Sequence, residues 1–262
     1  VMAFGLRAAE EGIGTGVDVD GKRYDSLLDA VGESACCGTV KAPSEFRGTL
    51  RPYQERGLGW LQFLLSLGFG ALLADDMGLG KTIQVIAYVL GQVKGGRRPV
   101  LVVCPTSVIG NWAAELARFA PSLRVAIHHG SEREAGEGFA CMVAGADVII
   151  TSYALAWRDE EDIRSVDWAL VVADEAQNMK NPLTKQSEFL KGLSSGARIA
   201  LTGTPIENRL SDIWSIMEFL NPGYLAPWPR FKEIFAKPIE VAGDMQRAAA
   251  LRKALSPLIL RR

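Results

Sequence analysis

The sequence predicts an α/β protein, a three-layer domain with a parallel central sheet and a helical C-terminal extension. Six short apolar stretches, each typical of a buried strand, are separated by longer stretches of helical periodicity. Strands and helices alternating at this spacing indicate parallel strands covered by helices on both faces. With 262 residues, 48% of them hydrophobic, the chain is long enough to bury a sizeable core.

The elements can be assigned in order along the chain. A first helix has an apolar face formed by Leu58, Leu61, Phe63, Leu64 and Leu67. The predicted strands follow at residues 70–74, 100–104, 124–128, 147–151, 168–173 and 198–202. Helices are predicted between most of them, for example at residues 82–93 and 108–119. After Pro205 we expect no further strand, and the predicted helices lie near residues 210–220, 229–235 and 244–255.

Three segments are expected. Residues 1–47 are rich in glycine and weakly periodic, so they are predicted to be a lead-in of uncertain structure. Residues 48–204 form the predicted lobe with the parallel sheet, and residues 205–262 form the helical extension. The chain begins with Val1 and stops abruptly at Arg262, which suggests a part of a longer protein.

Composition narrows the possible functions. Lys and Arg number 29 against 30 Asp and Glu, so the chain lacks the overall basic charge of many nucleic-acid-binding proteins, although a local basic groove remains open. The adjacent Cys36 and Cys37 do not have zinc-ligand spacing, and the four cysteines are expected to be reduced thiols. No signal peptide is visible. The most apolar run, residues 59–74, is shorter than the roughly 20 residues of a membrane span.

A glycine-rich segment with phosphate-binding character follows the first predicted strand. It has the sequence D-D-M-G-L-G-K-T, at residues 75–82, and it opens a helix. Glycines at 78 and 80 let backbone N–H groups approach an anion at the helix N-terminus. Lys81 would reach the β- and γ-phosphates, and the Thr82 hydroxyl would bind magnesium. The alternative is a glycine-rich turn that only starts a helix. Asp75 occupies the first glycine position of the general pattern.

Two further candidate sites lie at strand ends. Asp174 and Glu175 follow the strand at 168–173, where one carboxylate could hold magnesium and the other could orient or deprotonate a water molecule. Since the carboxyl ends of parallel strands share one edge, Lys81 and Asp174 are predicted to meet. The segment 201–208, L-T-G-T-P-I-E-N, could sense the nucleotide. Alternatively, the acidic pair is only a solvated turn, and the segment 201–208 is an ordinary Gly-Thr-Pro turn that closes its strand.

His and Trp residues have structural interpretations. His128 and His129 follow a strand and are expected in packing or on the surface rather than in acid–base catalysis. Trp60, Trp112 and Trp214 lie in helical apolar patterns, which favours core packing over stacking on bases.

Taken together, these segments resemble the Swi/Snf-type ATPases of helicase superfamily two, most closely the bacterial and archaeal members, over about residues 50–262. L-R-P-Y-Q, at 50–54, resembles the adenine-recognition segment of that family. The resemblance implies nucleotide contacts by Arg51, Tyr53, Gln54, Gly78, Leu79, Gly80, Lys81, Thr82 and Ile83. In this family an aspartate at position 75 is expected.

Other motifs extend the resemblance. Residues 104–112 and 151–153 resemble DNA-backbone segments, which implies contacts near Thr106, Ser107, Ser152 and Tyr153. D-E-A-Q, at 174–177, resembles the acidic box, although most relatives carry His where Gln177 stands. Residues 201–208 resemble the coupling motif, with Thr202, Gly203 and Thr204 in the coupling role. The final L-I-L-R-R resembles the segment on the hinge side of the lobe.

The resemblance implies a RecA-like ATP-binding lobe of a DNA-dependent ATPase that translocates on double-stranded DNA and remodels protein–DNA complexes. ATP and magnesium are the implied cofactors, with Lys81, Asp174 and Glu175 catalytic and with Thr82 and Asp174 as metal ligands. Implied partners are double-stranded DNA, a second ATPase lobe of the same parent chain that supplies arginine fingers, and a DNA-bound protein, but no membrane. The expected compartment is a bacterial or archaeal cytoplasm, near the nucleoid.

Two alternatives remain open. One is a strand-separating helicase of the same superfamily, and the other is a non-hydrolysing module that docks DNA or a protein. The intact Lys81, Thr82, Asp174 and Glu175 argue against the docking module. Without its second lobe, the isolated chain is expected to be nearly inactive.

Overall fold

The computed structural model describes residues 38–179, 181, 184–203 and 209–262. Its strands are β1 (Ala71–Leu73), β2 (Val100–Cys104), β3 (Val125–His128), β4 (Val148–Ser152), β5 (Leu170–Ala173), β6 (Arg198–Leu201) and β7 (Ile259–Leu260). Its helices are α1 (Pro52–Ser66), α2 (Lys81–Lys94), α3 (Ile109–Phe119), α4 (Glu137–Gly145), α5 (Tyr153–Arg158), α6 (Glu160–Arg164), α7 (Lys185–Lys191), α8 (Leu210–Leu220), α9 (Trp228–Phe231), α10 (Lys237–Ala242) and α11 (Met245–Leu255).

The strands described here form one parallel sheet in the order β3-β4-β2-β5-β6-β1-β7. The central strands are buried along their whole length, because helices cover both faces of a parallel sheet. Their uniformly apolar sequences, such as V-L-V-V-C in β2, follow from that double burial. The prediction of a three-layer α/β fold with a parallel sheet is therefore confirmed.

The seventh strand corrects the expectation that strands end before Pro205. Ile259 and Leu260 run parallel to β1, opposite Leu72 and Leu73. The Ala74 N–H also donates to the Leu260 carbonyl at 2.7 Å. The helical extension thus returns to the sheet and ends beside the loop that follows β1.

The extension itself is helical, as predicted. Helix α8 covers the predicted residues 210–220, and α11 begins after Asp244, whose side chain caps it by accepting from the Arg247 N–H. Between them, α9 runs into a π-helical turn, Lys232–Ala236.

Part of the predicted lead-in packs on the lobe. Phe46 is buried, and its ring stacks on Phe119 with 5.7 Å between the ring centroids. The Arg47 N–H donates to the Phe119 carbonyl at 2.8 Å. The three-segment division of the chain stays a prediction, and residues 1–37 lie outside the described residues.

Candidate nucleotide site

One cleft lies at the carboxyl edge of the sheet, where the loop after β1 meets the loop after β5. Its volume is about 460 Å³. It is lined by Met77, Gly78, Gly80, Lys81, Thr82, Val108, Asn111, Trp112, Glu115, Asp174 and Glu175. The parallel topology therefore brings Lys81 and Asp174 to the same edge, as the sequence predicts.

The glycine-rich loop has the backbone that anion binding needs. Gly78 and Gly80 have φ values of +84° and +73°, a region that favours glycine. A Cβ at Gly80 would lie 2.5 Å from Gln54 Nε2, so a side chain there would also collide. Helix α2 begins at Lys81 and has 14 residues, which leaves its first N–H groups free of helical partners at the border of the cleft.

Lys81 folds back over this loop. Its ammonium donates to the Asp75 carbonyl at 2.7 Å and to the Asp76 carbonyl at 3.3 Å. Thr82 is half-buried in the first turn of α2 and lines the cleft. Ile83, next along the helix, packs against the hydrophobic core.

The predicted adenine segment packs directly against the same loop. The Tyr53 hydroxyl and the Gln54 amide both donate to the Leu79 carbonyl, at 3.2 and 3.1 Å. The side-chain oxygen Oε1 of Gln54 accepts from the Arg51 backbone N–H at 2.9 Å. The Gln54 amide thus joins the start of α1 to the phosphate-binding loop, and Arg51 is exposed.

Asp174 is held at both carboxylate oxygens. Oδ1 accepts from the Glu175 N–H at 2.8 Å, and Oδ2 accepts from the Trp112 indole at 2.7 Å. Burial raises the pKa of the Asp174 carboxyl, whereas the hydrogen bond from Trp112 lowers it. Glu175 has a φ of 50°, a left-handed conformation that is uncommon outside glycine and that concentrates at functional sites.

Gln177 connects the acidic pair with the predicted coupling motif. Its amide donates to Glu175 Oε2 at 2.7 Å, and its carbonyl oxygen accepts from the Thr202 hydroxyl at 2.7 Å. Glutamine has both a donor and an acceptor, so one side chain can bridge the Glu175 carboxylate and the Thr202 hydroxyl. Gly203 lies beside Met77, and Thr204 lies outside the described residues.

The two predicted DNA-backbone segments differ in exposure. Thr106 and Ser107 are exposed in the 3-10 turn after β2. Ser152 and Tyr153 are 3% and 6% exposed. The Ser152 hydroxyl caps α5 by accepting from the Leu155 N–H, and the Tyr153 hydroxyl donates to the Asp174 carbonyl at 2.7 Å. Both hydroxyls of the second pair are therefore buried and engaged within the protein, and the DNA contact expected near Ser152 and Tyr153 stays a prediction.

Several residues that line the cleft were not predicted from the sequence as site residues. Trp112 is buried, as expected for core packing. Its indole N–H, however, donates to the Asp174 carboxylate, which the sequence does not indicate. Asn111 and Glu115 lie on the same helix and line the cleft. Burial, together with the neighbouring Asp174 carboxylate, raises the pKa of Glu115. Helical spacing of positions 112 and 115, just after a strand end, is the signal that could have identified this face.

Arg262 explains the aspartate at position 75. The Asp75 carboxylate is fully buried and accepts from Arg262 Nε at 3.3 Å. The Arg262 guanidinium also lies 5.3 Å from the Tyr53 ring centroid and donates to the Tyr53 carbonyl. A Cβ at Gly57 would collide with the Gln84 side chain and lie 2.8 Å from the same guanidinium, so the small residue makes room for both. The end of the helical extension is thereby fixed to the phosphate-binding loop.

One histidine is packed in the protein and the other lies on its surface, the two placements that the sequence predicts. His128 is buried, with its ring centroid 5.0 Å from that of Phe139, and its Nε2 lies 2.8 Å from the Asp159 carboxylate. Arg133 binds the same carboxylate, and His129 is exposed. Trp60 and Trp214 are buried as expected.

The cleft fits a nucleoside triphosphate with magnesium. The free N–H groups of α2 and the Lys81 ammonium suit phosphate, and the Thr82 hydroxyl with the Asp174 carboxylate are the oxygen ligands that magnesium prefers. Throughout the described ranges, no cluster of three or more His, Cys, Asp or Glu side chains could hold a metal ion by itself. Cys104 and Cys141 are free thiols, and Cys36 and Cys37 lie outside the described residues.

No helix among the described residues is long and apolar enough to cross a membrane.

Comparisons with known proteins agree with this architecture. The family model of the SNF2-related domain matches residues 53–262. The chain is 50% identical over 243 residues to YwqA of Bacillus subtilis (strain 168), whose proposed activity is that of an ATP-dependent helicase/translocase. It is 37% identical over 272 residues to the helicase SWR1 of Cryptococcus neoformans var. neoformans serotype D (strain B-3501A).

A solved structure is also similar. It is the Sulfolobus solfataricus SWI2/SNF2 ATPase core in complex with dsDNA, with 48% identity and a TM-score of 0.78. The match covers 84% of this chain and 46% of that one. Of the two relatives, the matches cover 92% and 94% of this chain but only 26% of YwqA and 22% of SWR1. The chain therefore spans less than half the length of the proteins it matches.

Proposed function

Since this chain belongs to the SNF2-related family of Swi/Snf-type ATPases in helicase superfamily two, we propose that it binds ATP with magnesium in the cleft at the carboxyl edge of its sheet. Hydrolysis there depends on double-stranded DNA and drives translocation along it. One observation carries the proposal: a single cleft brings together the phosphate-binding loop with Lys81 and the acidic pair Asp174 and Glu175. Neither feature alone separates an ATPase from a structural turn.

Each residue of the cleft then has a role. Lys81 leaves the loop carbonyls it contacts here and binds the β- and γ-phosphates together with the N–H groups of α2. Thr82 and Asp174 would hold magnesium, which would neutralise charge on the phosphates. Glu175 orients a water molecule and accepts its proton as the water oxygen attacks the γ-phosphorus and the bond to ADP breaks. Gln177 fixes the Glu175 carboxylate and connects it to Thr202.

The adenine would lie near the start of α1. Gln54, Tyr53 and Arg51 are the residues proposed to bind it, and the first two already contact the Leu79 carbonyl. Nucleotide binding at Gln54 exchanges one of its two internal hydrogen bonds for a bond to the base, so the adenine segment and the phosphate-binding loop respond together.

DNA binding is proposed at the exposed turn after β2. Thr106 and Ser107 offer hydroxyls and backbone N–H groups to phosphates, and such contacts position a duplex without recognising its sequence. The similar archaeal ATPase core was solved in complex with dsDNA, which supports a duplex as the partner. Ser152 and Tyr153 act behind this surface rather than on it.

Two partners complete the proposal. A second ATPase lobe in the full-length protein supplies arginines to the cleft and the other half of the DNA groove. Thr202, Gly203 and Thr204 relay the nucleotide state towards that lobe. Translocation against a DNA-bound protein would remodel that protein–DNA complex.

An assay of the full-length protein separates this function from its alternatives. We expect ATP turnover to rise when duplex DNA is added, with no strand separation in a parallel strand-displacement assay. Strand displacement coupled to turnover would instead identify a strand-separating helicase. Duplex binding without any ATP turnover would identify a docking module and contradict the proposal.

A further inference from the structure

Two buried aromatic side chains hold Asp174 by two different atoms. Trp112 donates its indole N–H to Oδ2, and Tyr153 donates its hydroxyl to the backbone carbonyl, both at 2.7 Å. The two side chains are 2% and 6% exposed. We infer that Trp112 and Tyr153 are positioning residues that transmit DNA binding to Asp174. This inference rests on the proposed function.

The positions of the two residues in the chain give them this role. Trp112 lies in the first turn of α3, directly after the 3-10 turn that exposes Thr106 and Ser107. Tyr153 is the first residue of α5, at the end of β4, which pairs with β2 in register from Val100↔Val148 to Cys104↔Ser152. The turn that binds DNA therefore has a direct connection to Asp174 through Trp112, 62 positions away in sequence, and a second one through β4 and Tyr153, 21 positions away.

These bonds control the orientation of the carboxylate. Oδ1 is held by the Glu175 N–H and Oδ2 by Trp112, which fixes the rotation of the group. Each carboxylate oxygen can accept two hydrogen bonds or ligand contacts, so each retains a lone pair for a cation. Tyr153 acts on the main chain instead, where Glu175 adopts its left-handed conformation. Because hydrogen bonds weaken steeply with angle, a small shift of the turn after β2, or of β4 beside it, changes how Asp174 presents its oxygens.

Substitution by phenylalanine removes each donor and keeps one six-membered aromatic ring at the position. The test uses Trp112→Phe and Tyr153→Phe in the full-length protein. Trp168→Phe and Tyr224→Phe are matched controls, because Trp168 is 2% exposed and donates to the Ile163 carbonyl at 2.8 Å. Tyr224 is 6% exposed and donates to the Ala254 carbonyl at 2.7 Å. Each control therefore loses the same hydrogen-bond donor as its cleft variant, from an equally buried side chain that lies away from the cleft.

Two quantities are measured. The first is the stimulation factor, the ratio of ATP turnover with saturating duplex DNA to turnover without it. The second is the magnesium concentration that gives half-maximal binding of a fluorescent non-hydrolysable ATP analogue, measured by anisotropy. We expect the stimulation factor to fall about tenfold in both cleft variants, in keeping with the loss of one hydrogen bond to a charged or strained group. We expect the magnesium requirement to rise several-fold in Trp112→Phe, while both controls match the wild type.

The outcomes are distinguishable. Suppose that DNA stimulates the wild type and that both cleft variants keep the wild-type stimulation factor and magnesium requirement. This result would overturn the inference and leave the proposed function intact. Equal losses in the controls would also overturn it, because they would indicate general loosening of the core. If DNA did not stimulate ATP turnover by the wild type, both the proposed function and this inference would be contradicted. If Trp112→Phe fails to fold, as judged by thermal unfolding, the stimulation factor of Tyr153→Phe decides.

Discussion

Replacement of Glu175 by glutamine is expected to slow ATP hydrolysis in the full-length protein by about 10² to 10⁴-fold while ATP remains bound. The substitution keeps the shape of the side chain and removes the charge that accepts a proton from water. Asp174, Lys81 and Thr82 stay in place, so the groups proposed to bind phosphate and magnesium are unchanged. Gln177, which donates to Glu175 Oε2, can also donate to the carbonyl oxygen of a glutamine.

Single-turnover hydrolysis and equilibrium binding of a fluorescent ATP analogue separate the two effects. Lys81→Ala is the matched contrast, because it removes a phosphate ligand and should lose binding and turnover together. If Glu175→Gln lost nucleotide binding while each bound ATP was hydrolysed at the normal rate, Glu175 would not be the residue that activates water.

The isolated 262-residue chain is expected to hydrolyse ATP about 10³ to 10⁵ times more slowly than the full-length protein. Phosphoryl transfer builds charge on the γ-phosphate, and Lys81 with magnesium neutralises only part of it. In the proposed mechanism the remaining positive charge comes from arginines of the second lobe. A cleft that a second lobe does not cover also admits water, which weakens every electrostatic contact.

This difference is measured as turnover by the purified chain beside the full-length protein, each with and without duplex DNA. We expect DNA to have no effect on the isolated chain, since in the proposed mechanism the second lobe forms half of the DNA groove. DNA-stimulated turnover at the rate of the full-length protein would mean that one lobe is sufficient for catalysis.

The architecture was largely predictable because a parallel sheet leaves a clear local signal. Strands buried on both faces are continuously apolar, and the predicted residues 100–104 and 210–220 coincide with β2 and α8. Strand β7 was missed for the opposite reason. It is only two residues long, and it exists because the helical extension returns to pair with β1, which nothing in its local sequence indicates.

The candidate site likewise has parts that were predictable from local sequence and parts that were not. The phosphate-binding loop and the acidic pair lie at strand ends and have recognisable local patterns. The contacts that hold them together join distant positions: Trp112 to Asp174, and Arg262 to Asp75 across 187 positions. Periodicity gave the burial of Trp112 correctly but not the partner of its N–H. Tyr153 could not be placed from the sequence, because its hydroxyl donates to the backbone carbonyl of Asp174, in the loop after β5.

The most direct test of the proposed nucleotide site is a crystal structure of the full-length protein with magnesium and a non-hydrolysable ATP analogue. We predict the phosphates at the N-terminus of α2, with Lys81 moved from the Asp75 and Asp76 carbonyls onto the β- and γ-phosphates. Thr82 and Asp174 should complete the magnesium shell, the latter directly or through water. A nucleotide bound elsewhere, or a Lys81 that still contacts only the loop carbonyls while the nucleotide is present, would contradict the central claim.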